Sequence, residues 1–139
     1  MPPGYPSEDY RQLLEAAARA GVGSIGVRVL AGGALSGSMA RHPIGLPLVE
    51  PIGSNTDYAT DVERARQFMP LLATGAAQNL TELAIRYAIS HRSPPTTEIG
   101  IATIQDLQAA AAAITRRPLP HDAPSRNRAR PPRFPHPHK

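Results

Sequence analysis

The sequence predicts an α/β fold, with about two parallel strands and three to four helices in residues 1–120 and a disordered tail at 121–139. Two short runs rich in β-branched residues, SIGVRVL at 24–30 and TTEIGIA at 96–102, are separated by segments whose apolar residues recur at helical spacing. Strands joined through helical crossovers pair in parallel with a right-handed connection, so the chain holds slightly more than one βαβ unit. The tail HDAPSRNRARPPRFPHPHK has Phe134 as its only large apolar side chain and buries too little surface to offset ordering entropy.

Ser7 is placed to cap a first helix, with Glu8 and Asp9 in its positive first turn and Tyr10, Leu13, Leu14, Ala17 and Ala18 at helical spacing. Gly21 ends it where a left-handed backbone is wanted. In the strand that follows, Ile25, Val27 and Val29 share one face and Gly26, Arg28 and Leu30 the other. A glycine-rich loop occupies 31–37, and Pro43, Pro47 and Pro51 mark residues 38–56 as a long surface connection.

Thr60 is the expected cap of a short helix with Val62, Ala65, Phe68, Met69 and Leu72 facing inward and Pro70 breaking it near its end. Asn79 and Glu82 have capping-box spacing for the next helix, whose inward stripe is Leu80, Leu83, Ala84, Tyr87 and Ala88, and Pro94 and Pro95 end it. After the second strand, Thr103 caps an alanine-rich helix with Leu107, Ala110, Ala111 and Ile114 inward. Arg116 and Arg117 complement its dipole, and Pro118 and Pro120 close the ordered region.

A chain of 139 residues with 41% hydrophobic content fits one modest globular core. No apolar run approaches the roughly 20 residues that cross a bilayer, and MPPGYPSEDY lacks the basic start and apolar stretch of a signal peptide, so a cytoplasmic location is expected. The absence of cysteine excludes disulfides, thiolate metal sites and thiol nucleophiles. Residues 1–120 carry ten Arg against ten Asp and Glu, so the net charge of +4 comes from the tail, with five Lys and Arg against Asp122.

The run AGVGSIGVRVLAGGALSG at 20–37 resembles the seventh strand and cofactor loop of aldo-keto reductases, a family of nicotinamide-dependent carbonyl reductases. SNTDYATDVERARQFMPLL and NLTELAIRYAISH resemble the family's seventh helical region, and TTEIGIATIQDLQAAAAAI its eighth strand, phosphate-binding turn and helix. The three segments occur in order over roughly residues 5–120, which is more specific than one glycine loop. The resemblance implies the C-terminal sector of a TIM (β/α)₈ barrel, since a whole barrel takes about 250 residues.

The resemblance further implies that Arg28, Leu30, Gly32 and Leu35 lie along the cofactor's pyrophosphate and that Gly100, Ile101, Ala102 and Thr103 lie near the adenosine ribose, with Asp106 and Ala110 on the adenine side. Glycine-freed amides at helix N-termini suit phosphate oxygens whatever the family. NADP-specific members place Lys or Arg in the second turn to pair with the 2′-phosphate. Here Ala102, Thr103 and Asp106 stand there, which favours NAD over NADP and implies weak binding.

The family's catalytic Asp, Tyr, Lys and His come from the first half of the barrel, and none of those motif positions lies in this chain. The only lysine is Lys139, so no Tyr–Lys pair can be drawn in the ordered part, and Tyr87 reads as core. The chain is therefore expected to be inactive alone on carbonyl or alcohol substrates, as a truncation, a split-gene product or a fragment awaiting an N-terminal barrel half. The alternative is a non-catalytic helical interaction protein derived from the same fold sector. Exposed strand edges favour self-association.

His42, beside Arg41 in the long loop, is a secondary candidate for touching substrate or phosphate, and His91 suits a helix C-terminus. His121, His136 and His138 lie in the Pro-rich tail and form no preformed metal site. RNRARPPR lacks interleaved aromatics and any binding module, so no specific nucleic-acid partner is expected, nor is a membrane.

Overall fold

The computed structural model describes residues 11–45, 57–90, 96–116 and 119. The Ser7 cap, Pro47, Pro51, His91, Pro94, Pro95, Arg117, Pro118, Pro120 and the tail lie outside the described residues. The elements in order are α1 (Arg11–Arg19), β1 (Ile25–Gly26), a 3₁₀ segment (Ala31–Ser36), a 3₁₀ turn (Pro43–Gly45), α2 (Tyr58–Arg66), α3 (Met69–Leu72), α4 (Leu80–Ser90), β2 (Thr96–Thr97) and α5 (Ile104–Thr115). The fold is α/β: β1 and β2 pair in parallel, with Ile25 opposite Thr96 and Gly26 opposite Thr97, and the Glu98 amide donates to the Gly26 carbonyl at 2.8 Å.

Both strands are shorter than expected. Each run reads as seven residues of strand, yet two pair, because Arg28 at φ 59° and Ala31 at φ 49° turn the backbone left-handed and draw it off the ladder. Val29, Leu30 and Ile99 leave the strands only to pack inward, against a core of Ile85, Ala110 and Ala113. A second cluster joins Ala77, Leu80 and Leu83 with Leu71, Leu72, Ala76 and Leu119. The return of the chain after α5 is fixed by the Leu119 amide donating to Ser90 Oγ at 2.8 Å.

Helix starts follow local chemistry. Thr103 caps α5 as expected, in a reciprocal capping box with Asp106, and Asn79 Oδ1 accepts from the Glu82 amide at 2.8 Å. The return bond of that second box shifts by one residue, since Glu82 accepts from the Gln78 amide. The cap of α2 is Asp57, whose carboxylate accepts from the Thr60 amide at 2.7 Å; Thr60 is three residues inside the start rather than its cap. Pro70 sits in the first turn of α3, where its missing N–H costs nothing, and so divides this region into two helices.

Burial departs from the stripes read by periodicity. Val62, Ala65, Leu80, Leu83 and Ala110 are buried, but Phe68, Met69, Leu107, Ala111 and Ile114 are exposed, as is Tyr87 at 61%. Ile25 and Val27 of the first strand run are exposed as well. Ile85 and Ala113 take the inward positions instead, with Ile85 of α4 packed on Ala110 and Ala113 of α5. Arg116 does not serve the α5 dipole: it crosses to Glu82, which also binds Arg86, at 3.0 Å each. Among the described residues no helix is long and apolar enough to cross a membrane.

Candidate functional site

Parallel pairing puts the C-terminal ends of β1 and β2 side by side, so residues 28–37 and 100–106 emerge at one end of the sheet. That end is the usual place for a ligand in parallel α/β folds. Leu30 has its side chain on the Ile85 core, and its carbonyl accepts from the amides of Gly33 at 2.8 Å and Leu35 at 3.1 Å. The chain tightens here because Gly32 at φ 67° and Gly33 at φ 101° adopt conformations that a side chain opposes. A Cβ at Gly33 would stand 3.3 Å from the Tyr58 hydroxyl, so glycine also makes room for a neighbour.

Tyr58 anchors the outer part of this loop. Its hydroxyl donates to the Ser38 carbonyl at 3.0 Å, the Arg41 guanidinium lies 4.6 Å above its ring, and Arg66 Nε donates to the Gly37 carbonyl at 3.0 Å. Burial raises the Tyr58 pKa, against the pull of Arg41, so the phenol stays protonated at neutral pH. Neither Tyr58 nor Asp57 stands out as part of the site by periodicity. The D-Y-A-T spacing, an acid three residues before a threonine, is the signal that marks the cap.

On the β2 side, Gly100, Ile101 and Ala102 are exposed and lead into the α5 cap. Asp106 Oδ2 accepts from the Thr103 amide at 2.9 Å and from the Ala102 amide at 3.2 Å. The Thr103 hydroxyl and these two amides hold the Asp106 carboxyl below its ordinary range. The Ile44 amide donates to His42 Nδ1 at 3.3 Å.

The structure therefore brings Arg28, Leu30, Gly32 and Leu35 to the same end as Gly100, Ile101, Ala102, Thr103 and Asp106. Ala110 does not face a ligand: it is 6% exposed and belongs to the core with Ile85. The turn at 100–106 differs from an open phosphate cradle, because the amides of Ala102 and Thr103 already face a carboxylate. A phosphate placed at this turn would meet the Asp106 carboxylate rather than open amides.

A shallow pocket of about 110 Å³ lies at the other end of α5, lined by Gln78, Asn79, Thr81, Glu82 and Arg116 among others. Its polar groups are engaged in the Glu82 ion pairs that bind α4 to α5. Among the described residues no group of His, Asp and Glu is arranged to hold a metal ion. No family model, curated protein or solved structure matches the chain.

Proposed function

We propose that this chain is the C-terminal sector of an aldo-keto reductase barrel, carrying the loops that hold a nicotinamide dinucleotide and lacking the groups that reduce a carbonyl. The observation that carries this reading is the meeting of residues 28–37 and 100–106 at the C-terminal end of a parallel strand pair. Arg28 and the glycine turn line the pyrophosphate side, and Thr103 and Asp106 line the ribose of the adenosine. Asp106 accepts from a ribose hydroxyl and repels a 2′-phosphate, so NAD is preferred over NADP and both bind weakly.

The Asp, Tyr, Lys and His that reduce a carbonyl in that family come from the first half of the barrel, at motif positions this chain does not contain. Its only lysine, Lys139, lies in the tail, and Tyr58 is engaged with the Ser38 carbonyl. The isolated protein is expected to reduce no aldehyde or ketone above background with either cofactor, and a supplied N-terminal barrel half is expected to restore turnover. Robust activity from the chain alone would refute this.

A second reading, a non-catalytic interaction protein from the same sector, is favoured by the exposed apolar side chains of α5. It predicts no dinucleotide binding with or without a supplied half.

A further inference from the structure

The backbone after Gly26 bends in a way its own residues oppose. Arg28 at φ 59° and Ala31 at φ 49° both carry side chains, and the left-handed form is disfavoured at each by about five- to thirtyfold. The alternation of SIGVRVL suits an extended strand instead. In the register set by Ile25 with Thr96 and Gly26 with Thr97, a continued ladder would turn the Arg28 carbonyl to the Gly100 amide. That carbonyl accepts from the Ala31 amide at 2.8 Å. A strained turn of this kind persists only where its surroundings hold it.

The turn and the loop that follows it are held from two sides. On one, Gly37 stands beside the buried Leu80 of α4. On the other is α2, which among the described elements packs chiefly on the 31–36 segment, with Ala34, Val62 and Ala65 all buried. It also bonds the end of the loop at two carbonyls: the Tyr58 hydroxyl donates to Ser38 and Arg66 Nε donates to Gly37, at 3.0 Å each. Such bonds contribute about two- to tenfold each, the same order as the strain at one left-handed residue.

We propose that α2 is the clasp of a two-state turn. In the closed state Tyr58 and Arg66 keep Arg28 and Ala31 left-handed; in the open state residues 28–31 relax to the extended backbone their alternation suits. The open state is the minor one, because Val29 and Leu30 leave the Ile85 core when it forms. Coupling of this kind is reciprocal, so whatever straightens the turn also loosens α2. The device lies in backbone shape and does not rest on the dinucleotide reading.

Backbone chemical shifts and amide exchange by NMR, with no ligand present, test it. In a Tyr58→Phe, Arg66→Gln double variant the Cα and Cβ shifts of Arg28 and Ala31 should move from left-handed toward extended values. The Gly33 and Leu35 amides should exchange about tenfold faster or more. Arg28 is exposed, so substitutions there leave the core untouched. Arg28→Gly relieves strain and should slow exchange at Gly33 and Leu35 about fivefold, whereas Arg28→Val resists the left-handed form and should speed exchange of the α2 amides. Unchanged Arg28 and Ala31 shifts in the double variant would overturn the proposal. So would shifts that move to random-coil values, which indicate fraying rather than a second state. Should the double variant fail to fold, the Arg28 variants decide: loop exchange in Arg28→Gly no slower than in the wild type, or α2 unaffected by Arg28→Val, overturns it.

Discussion

Asp106 and Thr103 close the start of α5 on each other: Asp106 Oδ2 accepts from the Thr103 amide at 2.9 Å, and Thr103 Oγ1 accepts from the Asp106 amide at 3.1 Å. The same pair begins the helix and places a fixed negative charge in the turn after β2. Thr103→Ala removes the hydroxyl partner of the box and should cost about 1 kcal/mol in urea denaturation. A Thr103→Ser variant should recover most of that loss. Equal stability of all three proteins would show that the box contributes nothing.

Glu82 ties α4 to α5. Its side chain is 8% exposed and meets Arg86, 13% exposed, and Arg116, 41% exposed. Glu82→Ala removes the carboxylate that a nearly buried Arg86 shares with the Ala76 carbonyl and should cost about 1 to 3 kcal/mol, whereas Arg116→Ala should cost under about 1 kcal/mol because that guanidinium is more solvated. The order of the two losses is the prediction. A larger loss at Arg116 would contradict it.

Acid should weaken the fold through these same carboxylates. Burial acts to raise the Glu82 pKa, but the Gln78 amide, Arg86 and Arg116 outweigh it and hold the carboxyl below its ordinary value. A group depressed in the folded state contributes stability above its unfolded pKa and loses it as pH falls through the folded one. Stability should therefore be level near neutrality and decline below about pH 4.5, and Glu82→Gln should flatten that decline. A slope unchanged in Glu82→Gln would place the linkage elsewhere.

Gly37 holds the glycine-rich loop against α4. Its φ is +76°, and a Cβ there would stand 2.8 Å from Leu80 Cδ1, a side chain that is itself buried. Gly37→Ala should cost roughly 1 to 3 kcal/mol through backbone strain and displacement of Leu80. Gly75, also at positive φ, has nothing within 4 Å of such a Cβ, so Gly75→Ala should cost less. Thermal melts of the two variants make the comparison, and a larger loss at Gly75 would contradict it.

The helices were legible because their start signals are local. Thr103 with Asp106, and Asn79 with Glu82, state a cap within four residues, and both caps are present. The strand lengths were not, because pairing depends on a neighbour: SIGVRVL alternates like a strand, yet Arg28 and Ala31 turn left-handed after two paired residues. Burial failed for a related reason. Leu107, Ile114 and Tyr87 lie on apolar stripes, but a stripe says only that a face suits burial, and α4 covers just the Ala110–Ala113 side of α5. The two glycine-bearing turns were legible as turns, while the Tyr58 hydroxyl reaching the Ser38 carbonyl across twenty residues depends on long-range packing.

The most direct measurement is a calorimetric titration of NAD and NADP into the wild type and into an Ala102→Arg, Asp106→Gln double variant, each with and without a supplied N-terminal barrel half. On the proposed assignment Asp106 opposes a 2′-phosphate and accepts from a ribose hydroxyl, so the wild type should bind NAD more tightly. The double variant should shift toward NADP by about tenfold or more, the size of one charge-assisted hydrogen bond. Tighter NADP binding by the wild type would mean that a basic group elsewhere, such as Arg28, governs the choice. Absence of any dinucleotide binding, with or without the half, would contradict the cofactor-binding assignment itself.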